Sequence, residues 1–265
     1  MMMRGRVGRE RLAIPTLGIE AARRVRRDLE YAHPTELEIE TLAFLRHALV
    51  RSTPTTGARA NLLRIGARGI ISVADRLPLD QRRWAIAHDL GHFEAHANVN
   101  FIGLCVGEDM RFEYDKSGRE QEANAFAAEL LMPEDLFEPL CDVPKVSWTV
   151  IGKLAEAFQV SLTAAGVRFL AFTYERLALI VSKHGKIAWS QSTRDFGRRL
   201  SKGSALDQSS LAYDFFKSGQ VSRIPETVDA SAWIPDPGDV EEVIEHAFPI
   251  PRLNMVLSLV WFPAT

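Results

Sequence analysis

His88 and His92 stand four residues apart inside QRRWAIAHDLGHFEAHA, where Trp84, Ala87 and Leu90 share a side that would face a core. The run predicts an α-helix. Both imidazoles then project from one face about one turn apart, which lets two nitrogens bind one tetrahedral Zn²⁺. Asp89 follows the first histidine directly. A second predicted helix, REQEANAFAAELLMP, stops at Pro133 and carries Glu120 and, four residues on, Asn124 on the same face. Packed against the first helix, it would deliver the Glu120 carboxylate as a third metal ligand and Asn124 as the group that orients a ligating histidine. Glu122 would point elsewhere. Two helices distant in the chain must therefore meet.

The rest of the composition fits an ordinary globular protein. The 265 residues include 32 Lys plus Arg against 34 Asp plus Glu, a formal net charge of −2, which argues against a uniformly basic nucleic-acid coat and against an acidic tail. With 46% hydrophobic and 25% charged residues the chain can bury a sizeable core. Cys105 and Cys141 are too few for a disulfide framework and point to a reducing, cytoplasmic home. The N-terminal MMMRGRVGRERLAIP is basic but lacks an apolar run behind it, and no stretch approaches the roughly 18 apolar residues that span a bilayer. No membrane partner is expected.

Residues 1–15 read as a basic, solvated arm. Apolar spacing predicts helices over residues 17–32 and 37–49, then a loop through RSTPTTGAR and a β-hairpin in ANLLRIGARGIISVAD turning at Ala67 to Gly69. A polar connection from Asn98 to Gly118 separates the two helices of the metal constellation. Residues 146–175 read as helix, turn at Gln159 to Ser161, and helix with Ser161 as N-cap, the spacing of a helix-turn-helix. Residues 176–265 read as a small α+β unit with a hairpin at His184-Gly185 and a final strand in RLNMVLSLVWFP.

Taken together, WAIAHDLGHFEAH, the preceding hairpin with RLPLDQRR, and the following EANAFAAELLMP resemble the ImmA/IrrE family of zinc metallopeptidases over roughly residues 16–175. The resemblance implies an α+β protein: a mainly helical, zincin-like metallopeptidase domain with a small sheet over residues 16–145, the helix-turn-helix-like segment, and a C-terminal sensor-like domain. It implies His88, His92 and Glu120 as zinc ligands. Mn²⁺ or Fe²⁺ would also suit two histidines and a carboxylate, with Zn²⁺ favoured by the spacing. The family's general base is a glutamate after the first histidine, and here that position is Asp89, one methylene shorter. Its carboxylate must come within about 2.6–3.2 Å of the water it deprotonates. Asp89 would take a proton from a zinc-activated water and pass it to the leaving amine. The hairpin of residues 61–74 is the expected platform for an extended peptide, by edge-strand pairing.

Further readings surround this core. His96, one turn beyond His92, is expected to support or pack rather than ligate. Cys105 lies in IGLCVGED between the ligand helices, where its thiolate could occupy the fourth zinc position and silence the enzyme, or simply be buried as a small hydrophobe. Latching of this kind occurs in family members beside anti-phage systems. The second helix of the helix-turn-helix-like segment offers only Arg168 among apolar positions, so packing is favoured over DNA reading. Nucleic-acid contact is expected instead at the N-terminal arginines, the Arg23 to Arg27 helix, or Arg198, Arg199 and Lys202 near Phe196. The resemblance implies an intracellular zinc endopeptidase that cleaves a helix-turn-helix transcriptional repressor. It would stay latent until a DNA-related signal, single-stranded DNA or a nucleotide, reaches the C-terminal domain. The rival readings are a non-catalytic zinc-containing regulator that binds a repressor or DNA, and a scaffold partner in a toxin–antitoxin pair.

Overall fold

The computed structural model describes residues 16–54, 58–96, 102–106, 118–197 and 200–263. The expected arm at residues 1–15, and Arg198 and Arg199, lie outside them. The fold is α+β in two compact units divided after Leu131.

The first unit runs α1 (Thr16–Leu29), α2 (Ile39–Leu45), β1 (Ala48–Thr53), β2 (Ala58–Ile65), β3 (Arg68–Ala74), α3 (Leu79–Ala95), β4 (Ile102–Val106) and α4 (Gly118–Leu131). The strands form one sheet in the order β1-β3-β2-β4, with β1 parallel to β3 and the other pairs antiparallel. α3 is its hub. Every residue from Arg83 to Phe93 on it is buried, so it has no solvated face, as expected of a helix enclosed by its neighbours. It packs on the sheet, α2, α1 and α4. Peripheral ion pairs tie the layers. Arg46 grips Glu94 with both arms of its fork at 2.8 and 2.9 Å, Arg23 meets Glu129 at 2.8 Å, and Arg82 meets Glu40 at 2.8 Å.

Three expectations need correction here. Residues 48–53 are strand rather than the end of a helix and a loop. Their ladder comes from β3, with Ala48 opposite Gly69 and Thr53 opposite Ala74, a parallel pairing whose partner lies well downstream. The stretch from Asn98 to Gly118 contains β4, with Leu104 opposite Asn61 of β2. The hairpin turns at Gly66 and Ala67, where Gly66 adopts φ +59°, and neither of its strands is an edge. β2 and β3 each have partners on both sides, so among the described strands the open edges are β1 and β4. The hairpin cannot pair with an added peptide.

The second unit runs α5 (Glu134–Phe137), α6 (Trp148–Phe158), α7 (Leu162–Phe172), β5 (Leu177–Lys183), β6 (Lys186–Ser192), α8 (Leu211–Ser218), β7 (Glu226–Asp229), β8 (Glu242–Ile250) and β9 (Met255–Trp261). Ser147 and Ser161 cap α6 and α7 by accepting from Val150 N and Ala164 N. Gln159, at φ +51°, ends α6 in the left-handed conformation. The antiparallel sheet is ordered β6-β5-β9-β8-β7. β5 and β9 sit centrally and are buried on both faces, which is why LALIVS and MVLSLV read as unbroken apolar runs. α7 lies over Leu179, while Ala178, Ile180, Val256 and Val260 face a second cluster with Phe196, Phe215 and Trp233. α7 buries Ala164, Ala165, Phe169 and Phe172, and Arg168 donates to Met132 O at 3.0 Å. Its surface is spent on packing.

Candidate metal centre

The metal constellation is set by one close helix crossing. A Cβ on Gly91 would come within 2.9 Å of Phe126 Cβ and 3.0 Å of Ala123 Cα, so only glycine lets α4 lie this near α3. Gly91 is a positioning residue that the spacing of the histidines did not reveal. Its signal in the sequence is the glycine itself, which costs about 1 kcal/mol relative to alanine in a helix interior and is retained where something else approaches.

Across this crossing the side chains converge. His88 Nε2 and His92 Nε2 are 3.2 Å apart, His88 Nε2 lies 3.2 Å from Glu120 Oε2, and His92 Nε2 lies 3.3 Å from Glu120 Oε1. Among the described residues these three are the group able to hold a metal ion. A tetrahedral zinc ion with bonds of about 2.0–2.1 Å holds neighbouring donors about 3.3 Å apart, so the observed triangle has the size of one face of that tetrahedron. The donor chemistry fits as well. His88 Nδ1 is 3.0 Å from Asn124 Oδ1, an acceptor that keeps a proton on Nδ1, so Nε2 is the nitrogen turned toward a metal. His92 Nδ1 is 3.2 Å from His96 Nδ1. Burial, followed by the neighbouring His92, pushes His96 down to about 4, so it is neutral and can accept the His92 Nδ1 proton. His96 thus orients His92, as its position one turn further suggested.

The electrostatics match a cation site. Hydrogen bonds from His88 and His92 hold the Glu120 carboxyl well below the usual carboxylate range. Burial works to lower His88, but Glu120 and Asp89 outweigh it and the net direction is upward. Asp89 is fully buried beside this pair. Glu122 does point elsewhere and accepts from the backbone N of Gly18 on α1. Lys202 is exposed in the second unit and is not part of this group. The backbone of Cys105 is placed on β4 opposite Ala60, and its side chain lies outside the described residues. Replacing Asn124 by Ala should lower zinc affinity about 10–100-fold by freeing the His88 ring, which competition with a chromophoric chelator would measure. Unchanged affinity would remove Asn124 from the site.

Compared with known proteins, residues 47–170 match the family model Peptidase_M78, described as the IrrE N-terminal-like domain. No curated protein matches the chain. Among solved structures, a Mycobacterium tuberculosis transcriptional regulator aligns over 94% of this chain and 76% of its own, with a TM-score of 0.58 and 17% identity, a likeness of fold.

Proposed function

The chain carries an IrrE N-terminal-like domain of the M78 peptidase family, and on that premise we propose that it is a zinc-dependent endopeptidase that cleaves a helix-turn-helix transcriptional repressor. The observation that carries this reading is the buried triangle of His88, His92 and Glu120 donors at 3.2–3.3 Å. Zinc held there would polarise a peptide carbonyl and acidify water at the site. His88 and His92 would supply imidazole nitrogens, kept in orientation by Asn124 and His96. The Asp89 carboxylate accepts the proton of the attacking water and returns it to the departing amide nitrogen. An extended substrate would be held along an open strand edge, of which β4, antiparallel to its neighbour, is the better suited. Activity would be latent until a DNA-related signal such as single-stranded DNA arrives, with the second unit as receiver and Cys105 as a candidate latch.

The test is to incubate the zinc-loaded full chain with a helix-turn-helix repressor encoded beside it, with and without single-stranded DNA, and to follow fragments by mass spectrometry. Cleavage that disappears with a chelator and in Glu120→Ala is the expected result. Stoichiometric zinc with no cleavage under any condition would overturn the peptidase reading and favour the non-catalytic regulator, which the shorter Asp89 makes the second reading.

A further inference from the structure

The arginines of α1 are not absorbed by the metal centre, and the structure separates their fates. Arg23 is paired with Glu129, and Arg26 donates to Ala32 O at 2.8 Å. Arg24 instead faces a cavity of about 360 Å³ in the first unit, lined also by Arg46, His47, Arg64, Phe93 and Glu94. That volume lies in the range of small-ligand sites.

Three guanidinium groups reach this cavity from three separate elements: α1, the turn after α2, and β2. They are not equally committed. Arg46 is occupied by Glu94 on one side and by Asp28 at 2.9 Å on the other. Arg64 is fixed in place: it donates to Phe93 O at 2.7 Å, and its guanidinium lies 4.2 Å over the Phe93 ring. Arg24 is the least committed: it stands 3.8 Å from Glu94, within ion-pair range but beyond hydrogen-bond reach, and lines the cavity. His47 adds an imidazole at the rim from a backbone at φ +64°, a conformation that histidine adopts at a cost. Glu94, with 8% of its side chain exposed, also lines the cavity, and Arg46 offsets its charge at 2.8 Å.

We propose that this cavity is a binding site for a phosphomonoester, the phosphate sitting between Arg24, Arg64 and His47. Guanidinium forks match phosphate oxygens, and a stacked, pre-fixed Arg64 loses little freedom on binding. Its volume of about 360 Å³ suits a compact ligand such as a mononucleotide or inorganic phosphate. It is independent of the peptidase reading, because none of its residues is a metal donor.

Isothermal titration of the zinc-loaded full chain with thymidine monophosphate and with inorganic phosphate tests it. One ligand per chain is expected, with affinity falling as salt is raised and dropping about tenfold or more in Arg24→Gln and in His47→Asn, the latter a residue that tolerates the same backbone. Glu120→Ala should bind as the wild type does, which separates this site from phosphate on the metal. Tighter binding of the nucleotide than of phosphate assigns the nucleotide as ligand, and equal binding assigns free phosphate. The proposal is overturned by absence of saturable binding, by affinity that survives an Arg24→Gln/Arg64→Gln double variant, by loss of binding in Glu120→Ala, or by binding of single-stranded oligonucleotides alone.

Discussion

Asp89→Asn is expected to lower kcat for repressor cleavage by about 10²–10⁴-fold while zinc stays stoichiometric, the range assigned to a positioned general acid–base. Asparagine has the same shape and keeps the fully buried position filled, so the fold should persist; it cannot take a proton. The metal donors are untouched, because His88, His92 and Glu120 hold their places through Asn124, His96 and the α3–α4 contact. The informative partner is Asp89→Glu, which restores the residue usual in the ImmA/IrrE pattern and lengthens the arm by one methylene. Activity equal to or above that of the parent is expected. Steady-state cleavage and metal analysis on the same samples decide the matter. Undiminished kcat in Asp89→Asn would assign the proton transfer to another group.

The largest effect on stability is expected in the second unit, at Glu245. This carboxylate is fully buried on β8 and accepts four hydrogen bonds, from Leu211 N and Ala212 N at the start of α8, from Trp233 Nε1, and from Ser258 Oγ, all at 2.8–3.0 Å. Glu245→Ala leaves four enclosed donors without an acceptor and should cost about 3–5 kcal/mol, a drop of roughly 10 °C or more in Tm. Calorimetry would show it, and a shift below 1–2 °C would refute the account. The pH dependence has a definite sign. Burial pushes Glu245 above its ordinary carboxyl value, against the pull of its donors. The folded state therefore binds a proton more tightly than the unfolded chain. The stability this contributes is complete below the unfolded value of 4.5 and is lost as pH rises through the higher folded value. Glu245→Gln cannot titrate and should lack that decline.

What the sequence disclosed depended on how locally each feature is encoded. The helices bearing His88, His92, Glu120 and Asn124 follow from spacings within a turn, and the Ser161 cap from a single side chain. The hairpin of β2 and β3 announced itself through its flanking aliphatic residues, although its turn falls at Gly66 and Ala67 rather than at Ala67 to Gly69. β1 did not, because ALVRST becomes strand only when β3 arrives to pair with it in parallel. β4 was hidden in the same way inside a polar connection. β8 carries Glu245 and His246, polar residues that look solvated in isolation and are buried here by partners on α6, α8 and β9. The cationic cavity is assembled from residues scattered between 24 and 94, which no window along the chain collects.

The absence of a side chain at Gly91 fixes how far apart the two halves of the donor triangle stand. His88 and His92 belong to the buried middle of α3, whereas Glu120 lies in the first turn of α4, and helix ends fray before helix centres. Heating should accordingly separate the carboxylate from the imidazoles before the sheet opens. Release of the ion would then come first, as an early warning of denaturation that a fluorescent zinc indicator would register at temperatures where the circular dichroism is still native.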